Sequence, residues 1–180
     1  IVDIRLPKSL RRIESRAFRN CIGLEEVVLG GDEIQIDEEA FRNCTALKTV
    51  RTCGGTVYTF EGLKEIYRQK EPDFEKCLVS AKEMLASARA IHRQVFGNFR
   101  LSGTILLQYL GAESRVVVPE GVTAIAEEAF AGIETIDKVI LPESLQEIGA
   151  EAFRGCLMMQ TITLPEGLCR IGAGAFSDCV

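Results

Sequence analysis

The sequence predicts an α/β solenoid, with short parallel strands on its concave face, short helical turns on its convex face, and a hairpin plus helical insert or cap interrupting the stack. Three observations carry this expectation. The dipeptide Ala-Phe recurs at Ala17-Phe18, Ala40-Phe41, Ala129-Phe130, Ala152-Phe153 and Ala175-Phe176, spaced by 23 within the first pair and within the last three. Other apolar columns fall into register once the chain is aligned on that Phe. Phe41 and Phe130, however, are 89 positions apart, where one repeat would need 23.

The columns justify the coil. Five residues before the Phe stand Ile13, Ile36, Ile125, Ile148 and Ile171, and eleven before it stand Pro7, Pro119, Pro142 and Pro165, with Gly30 as the one substitute. Three residues after it come Cys21, Cys44, Cys156 and Cys179, with Ile133 breaking the column; nine after it come Val27, Val50, Val139 and Ile162. A unit of this length has room for one short strand and one return segment, and it cannot bury its apolar face alone, so neighbours must stack. In Glu25 to Leu29, Asp137 to Leu141 and Gln160 to Leu164 alternate apolar residues point inward, and the following Pro or Gly ends the strand. The Phe fills the interior, with about 2 to 3 kcal/mol of burial. The small Ala beside it lets a helical turn such as Asp37 to Cys44 approach the next coil.

The pattern LPxSLxxIxxxAFxxC, present as Leu6 to Cys21 and as Leu141 to Cys156, resembles the BspA-like class of bacterial leucine-rich repeats. The resemblance covers Ile1 to about Thr52 and Val116 to Val180. It implies a leucine-rich-repeat solenoid, and a bacterial surface or secreted protein concerned with adhesion to host proteins or to other cells. The chain starts at Ile1 without an initiator Met and stops at Val180 directly after a repeat motif, so it is read as a segment of a longer protein.

The interruption divides the chain into a first array, 1–52, a hairpin plus helical insert or cap, 53–103, and a second array, 104–180. Val50 to Cys53 and Thr56 to Phe60 flank Gly54-Gly55, which suits a tight hairpin. Glu61 to Lys70 reads as a short helix. Pro72 opens a longer one, in which Phe74, Cys77, Leu78, Ala81, Leu85, Ala88, Ile91 and Val95 share a face and Gly97-Asn98 marks the stop. Thr104 to Leu110 and Arg115 to Val118 read as strands paired around Gly111. Two arrangements fit, a helical insert projecting from one solenoid or a cap between two arrays; the cap is favoured because solenoid ends need covers. Exposed ends also imply possible self-association.

Composition narrows the function. With 21 basic and 26 acidic residues and a net charge of −5, the chain has no global field for a phosphate backbone, so nucleic acid is not expected. No apolar run reaches the roughly 18 to 20 residues of a membrane span. Val116 to Val180 carries 3 basic and 10 acidic residues, which makes the second array the acidic part.

No catalytic residue, cofactor site or metal site is expected. His92 is the only histidine and has no Cys or carboxylate at i+3 or i+4 on its face, so it reads as structural. Gly172-Ala173-Gly174 lies in a repeat turn and is not a phosphate loop. Of the seven cysteines, four stand 23 apart in the repeat column or its continuation, as buried small hydrophobes would. A thiol enzyme built on Cys77 or Cys53 with His92 is the remote alternative.

The strand face is the expected binding surface. Asp3, Glu26 and Thr49, then Arg115, Lys138 and Thr161 form one outward column. Arg5, Val28 and Arg51, then Val117, Ile140 and Thr163 form the next. The protein-contact candidates are Arg115, Val117, Lys138, Ile140, Thr161 and Thr163, where Val117 and Ile140 make an apolar strip beside two cations. The partner is expected to be a protein. The expected location is the cell surface or outside the cell, the rival being an intracellular scaffold, to which unpaired cysteines are suited.

Overall fold

The computed structural model describes residues 1–31, 34–52, 55, 57–58 and 94–180. In chain order its strands are β1 (Asp3–Leu6), β2 (Arg12–Ile13), β3 (Glu26–Leu29), β4 (Gln35–Ile36), β5 (Thr49–Thr52), β6 (Val57–Tyr58), β7 (Gln94–Phe96) and β8 (Phe99–Ser102). Then follow β9 (Ile105–Tyr109), β10 (Arg115–Val117), β11 (Ala124–Ile125), β12 (Lys138–Ile140), β13 (Glu147–Ile148), β14 (Thr161–Thr163) and β15 (Arg170–Ile171).

Each repeat contributes a strand to a main face and a two-residue strand to a second one. On the main face β1, β3 and β5 pair in parallel, as do β10, β12 and β14. Their alternation sends Ile4, Leu6, Val27, Leu29, Val50, Val116, Val139 and Ile162 inward, all buried. The Ile column forms the second ladder, in which Ile125, Ile148, Ile171, Ile13 and Ile36 pair in succession across β11, β13, β15, β2 and β4.

The order of that ladder shows how the blocks meet. β15, the last strand of the chain, pairs with β2, so the final coil stacks on the first. Hydrogen bonds cross this joint all round the coil. Val2 N–H donates to the Gln160 carbonyl (3.4 Å), Arg11 N–H to Cys169 (2.9 Å), Glu14 N–H to Ile171 (3.0 Å), Phe176 N–H to Ala17 (2.7 Å) and Asp178 N–H to Arg19 (2.8 Å). The two repeat blocks therefore form one stack, in which the coils of the second block precede those of the first. Neither a projecting insert nor a cap between arrays anticipates that order.

The interior is a column of rings. Phe41, Phe18, Phe176, Phe153 and Phe130 stack at centroid separations of 5.1, 5.3, 5.2 and 4.7 Å, and Tyr109 continues the column 5.3 Å from Phe130. Phe99 follows it at 5.2 Å, tilted.

The convex side differs from expectation. Among the described residues there is no helix, so the α component of the predicted α/β class is absent from them and the architecture is a β-solenoid of about five turns. The cause is local. Left-handed residues bracket the Ala-Phe pair in most coils, with φ of 59° at Arg16 and 58° at Asn20, and 53° at Glu151 and 71° at Gly155. Such residues stop a right-handed helix from propagating. The amide groups are satisfied between coils instead: Phe18, Phe130, Phe153 and Phe176 donate to the carbonyls of Ala40, Ala152, Ala175 and Ala17 at 2.7 to 2.8 Å.

The predicted hairpin is present, since β5 and β6 are antiparallel with Val50 opposite Tyr58 and Arg51 opposite Val57. The helices expected over Glu61 to Lys70 and from Pro72 lie outside the described residues apart from the end of the second. There Gln94–Phe96 is a strand, hairpinned to β8 around Gly97 at φ 57°. β9 and β10 do not pair with each other. β9 joins β8 and β11 in the Ile ladder, while β10 begins the main face, because the coil turns a corner between them.

Candidate binding face

The candidate residues stand on the main face in the predicted register. Arg115, Lys138 and Thr161 are neighbours, and so are Val117, Ile140 and Thr163. Each alternates with a buried Val or Ile, which fixes its outward direction. Val117 is 58% exposed and Ile140 half-buried, so the apolar strip is open among the described residues. Arg115, Lys138, Thr161 and Thr163 are exposed.

Because the last coil meets the first, this surface does not end at β14. The Asp137 N–H donates to the Ser114 carbonyl and the Gln160 N–H to that of Asp137, and the run continues with Val2 N–H to Gln160, Glu25 N–H to Val2 and Lys48 N–H to Glu25. Through the stack, one outward column is Arg115, Lys138, Thr161, Asp3, Glu26, Thr49, and the other is Val117, Ile140, Thr163, Arg5, Val28, Arg51. Asp3, Arg5 and Arg51 are exposed, and Glu26 receives Arg51 Nε at 2.6 Å. Sequence reasoning found both columns but ordered their halves as the chain does.

The other chemistry-bearing residues are spread elsewhere. Cys156, Cys179, Cys21 and Cys44 follow one another up the convex side as free thiols, the first three buried. Their Sγ–H groups donate to the Phe130, Phe153, Phe176 and Phe18 carbonyls at 3.3, 3.2, 3.2 and 3.0 Å. Burial pushes Cys156 and Cys179 up to about 12. Cys169 is half-buried and donates its Sγ–H to the Gly167 carbonyl at 3.4 Å. His92, Cys53 and Cys77 lie outside the described residues, within which no group of three His, Cys, Asp or Glu is placed to hold a metal ion.

One charged cluster was not anticipated. Arg170 on β15 donates Nε and Nη2 to Glu14 Oε1, at 3.0 and 2.9 Å, and Nη1 to Glu147. Its guanidinium joins the final coil to the first and to its own neighbour, and the two carboxylates hold its pKa up against the opposing effect of burial. Glu14 Oε2 also takes the Ala173 amide at 3.2 Å. The cluster therefore acts within the stack and does not present a reactive group.

The BspA type leucine rich repeat region matches in six copies over residues 1–102 and 108–180. The chain belongs to that family. Nothing among functionally curated proteins matches it. A leucine rich repeat protein of T. pallidum is 23% identical over 51% of this chain, with a TM-score of 0.30, and this chain covers 66% of it. A leucine rich cell surface protein of Faecalibacterium prausnitzii is 16% identical over the whole chain, with a TM-score of 0.41, and 46% of its length is covered. This BspA-type chain thus spans less than two thirds of either solved relative. Its repeats are of a kind that is generally non-catalytic.

Proposed function

We propose that the main strand face is a protein-recognition surface and that the chain is a non-catalytic adhesion-type module, carried at the cell surface or secreted. The observation that carries this reading is the exposed Val117 and half-buried Ile140 beside Arg115 and Lys138 on a sheet whose other side is committed to the core. A rigid backbone lattice holds these side chains in register, so a partner meets a preorganised surface and the ordering cost of binding is small. Membership of the BspA-type family supports the location.

The test is binding of the chain to an array of extracellular-matrix and serum proteins, comparing it with Ile140→Asp/Lys138→Glu. The double variant should lose at least tenfold in affinity for whatever the parent binds, with an unchanged far-UV spectrum. Equal binding by parent and variant would move the site off this face. Labelling of intact cells with an antibody to the chain tests the location, and signal only after lysis would favour an intracellular scaffold.

A further inference from the structure

The charges of the first outward column change sign about its middle. In the order of the stack they run Arg115, Lys138, then neutral Thr161, then Asp3, Glu26. We propose that this face pairs with the same face of a second copy of the chain, about a two-fold axis running along β14 through Thr161 and Thr163. This rests on the strand face being a protein-contact surface.

The geometry selects that axis. A half-turn about a line parallel to the strands keeps strand direction and reverses the order of the coils. Arg115 then lies opposite Glu26 of the second copy and Lys138 opposite its Asp3, each pair occurring twice as an isologous interface requires. In the adjoining column Val117 meets Val28, and Ile140 meets the aliphatic stem of Arg5. The other in-plane axis, along the stack and through the charged column, would set every charge of that column against its own copy. Arg115, Lys138 and Asp3 form no ion pair among the described residues, so their charges are free for a partner. Glu26 keeps Oε2 beyond its contact with Arg51, and Arg51 lies past the last matched row.

Size sets the strength. Five steps of about 4.8 Å across strands of about 10 to 13 Å give a face of roughly 300 Å², below the ~800 Å² per partner of a standard stable interface. The pairing is accordingly weak and carried by charge, with a dissociation constant in the range of tens to hundreds of micromolar, and salt screens it.

Sedimentation of the full chain from 10 µM to 1 mM, in 50 mM and in 500 mM NaCl, tests this together with two variants. Arg115→Glu/Lys138→Glu makes the charged column wholly acidic, and Asp3→Lys/Glu26→Arg makes it wholly basic. The parent should dimerise at low salt and weaken at least tenfold at high salt. Each variant alone should associate at least tenfold more weakly, and an equimolar mixture of the two should regain a heterodimer as tight as the parent dimer. A parent monomeric at 1 mM in low salt, variants that dimerise like the parent, or a mixture that stays monomeric each overturn the proposal. Should a reversal fail to fold, Arg115→Gln/Lys138→Gln serves instead, with the same tenfold loss expected and parent-like dimerisation overturning. Array binding is a separate readout: if it is lost in Ile140→Asp/Lys138→Glu while the parent remains monomeric, the recognition reading stands and the second-copy proposal falls. If array binding is unchanged while the parent dimerises as described, the second-copy proposal stands and recognition of other proteins moves off this face.

Discussion

The cysteine that closes most coils is a small buried residue with one hydrogen bond to donate. Its column was legible in the sequence as an apolar position, but the Phe carbonyl it satisfies was not, because that carbonyl lies in the neighbouring coil. Burial pushes Cys156 and Cys179 from an ordinary value of 9.0 up to about 12, so both remain protonated in the folded chain while the unfolded chain ionises. The sign follows. Their contribution to stability is fully present below about pH 9 and is lost as pH rises from there toward 12, by about 1.4 kcal/mol per pH unit for each thiol. Urea unfolding between pH 8 and 10 should therefore fall more steeply for the parent than for Cys156→Ala/Cys179→Ala, and parallel curves would show that these thiols ionise in place. Cys44 differs: it is half-buried, and its interaction with the neighbouring Cys21 side chain lowers its pKa while Cys21 itself is raised. In the native protein iodoacetamide should alkylate Cys44 before the other three ladder thiols, which peptide mapping after a short exposure would show.

At the scale of the element, the period of the strands was readable and the conformation of the return was not. Val27, Val139 and Ile162 stand two residues before Leu29, Leu141 and Leu164, and a period of two has one structural meaning. Asp37 to Cys44 resembles a helical turn in composition, and nothing in the residue types alone marks Arg16, Glu128 or Glu151 as left-handed, since those are ordinary helix formers. The Gly and Asn column after the Phe was the available hint: Asn20, Asn43, Gly132, Gly155 and Asp178 all have φ between 58° and 72°. Two glycines separate conformational cost from crowding. A Cβ on Gly155, at φ 71°, would have its nearest atom 3.8 Å away, so Gly155→Ala costs about 1 to 2 kcal/mol from backbone conformation alone. A Cβ on Gly149 would sit 2.8 Å from the backbone of Ala126 and Glu127 in the adjacent coil, which cannot retreat without opening the ladder. Gly149→Ala should therefore destabilise more than Gly155→Ala in denaturant melts, and the reverse ranking would mean that neighbouring coils can part at Gly149 at little cost.

At the scale of the molecule, the joint between the last coil and the first was illegible because sequence self-similarity reports which segments are alike and not which are adjacent. Every contact across it has long range in the chain; Cys21 and Phe176, for example, are 155 residues apart, whereas the equivalent pair Cys44 and Phe18 are 26 apart. The register also gives the size of the gap. Cys21 and Leu24 are separated by Ile22 and Gly23, and Cys179 and Ile1 occupy the same two columns with only Val180 between them, so one residue is missing from an unbroken coil. A permuted chain with a single Gly joining Val180 to Ile1, and new ends between Lys70 and Glu71, should keep the stack. Its joint contacts would become as local as those inside either block, which lowers contact order and so speeds folding. The permutant is expected to match the parent far-UV spectrum, to retain the Arg170–Glu14 contact as judged by equal destabilisation on Glu14→Gln in both chains, and to refold faster in stopped-flow jumps. A permutant that is unfolded, or insensitive to Glu14→Gln while the parent is sensitive, would mean that the two blocks meet differently from the way β15 and β2 place them.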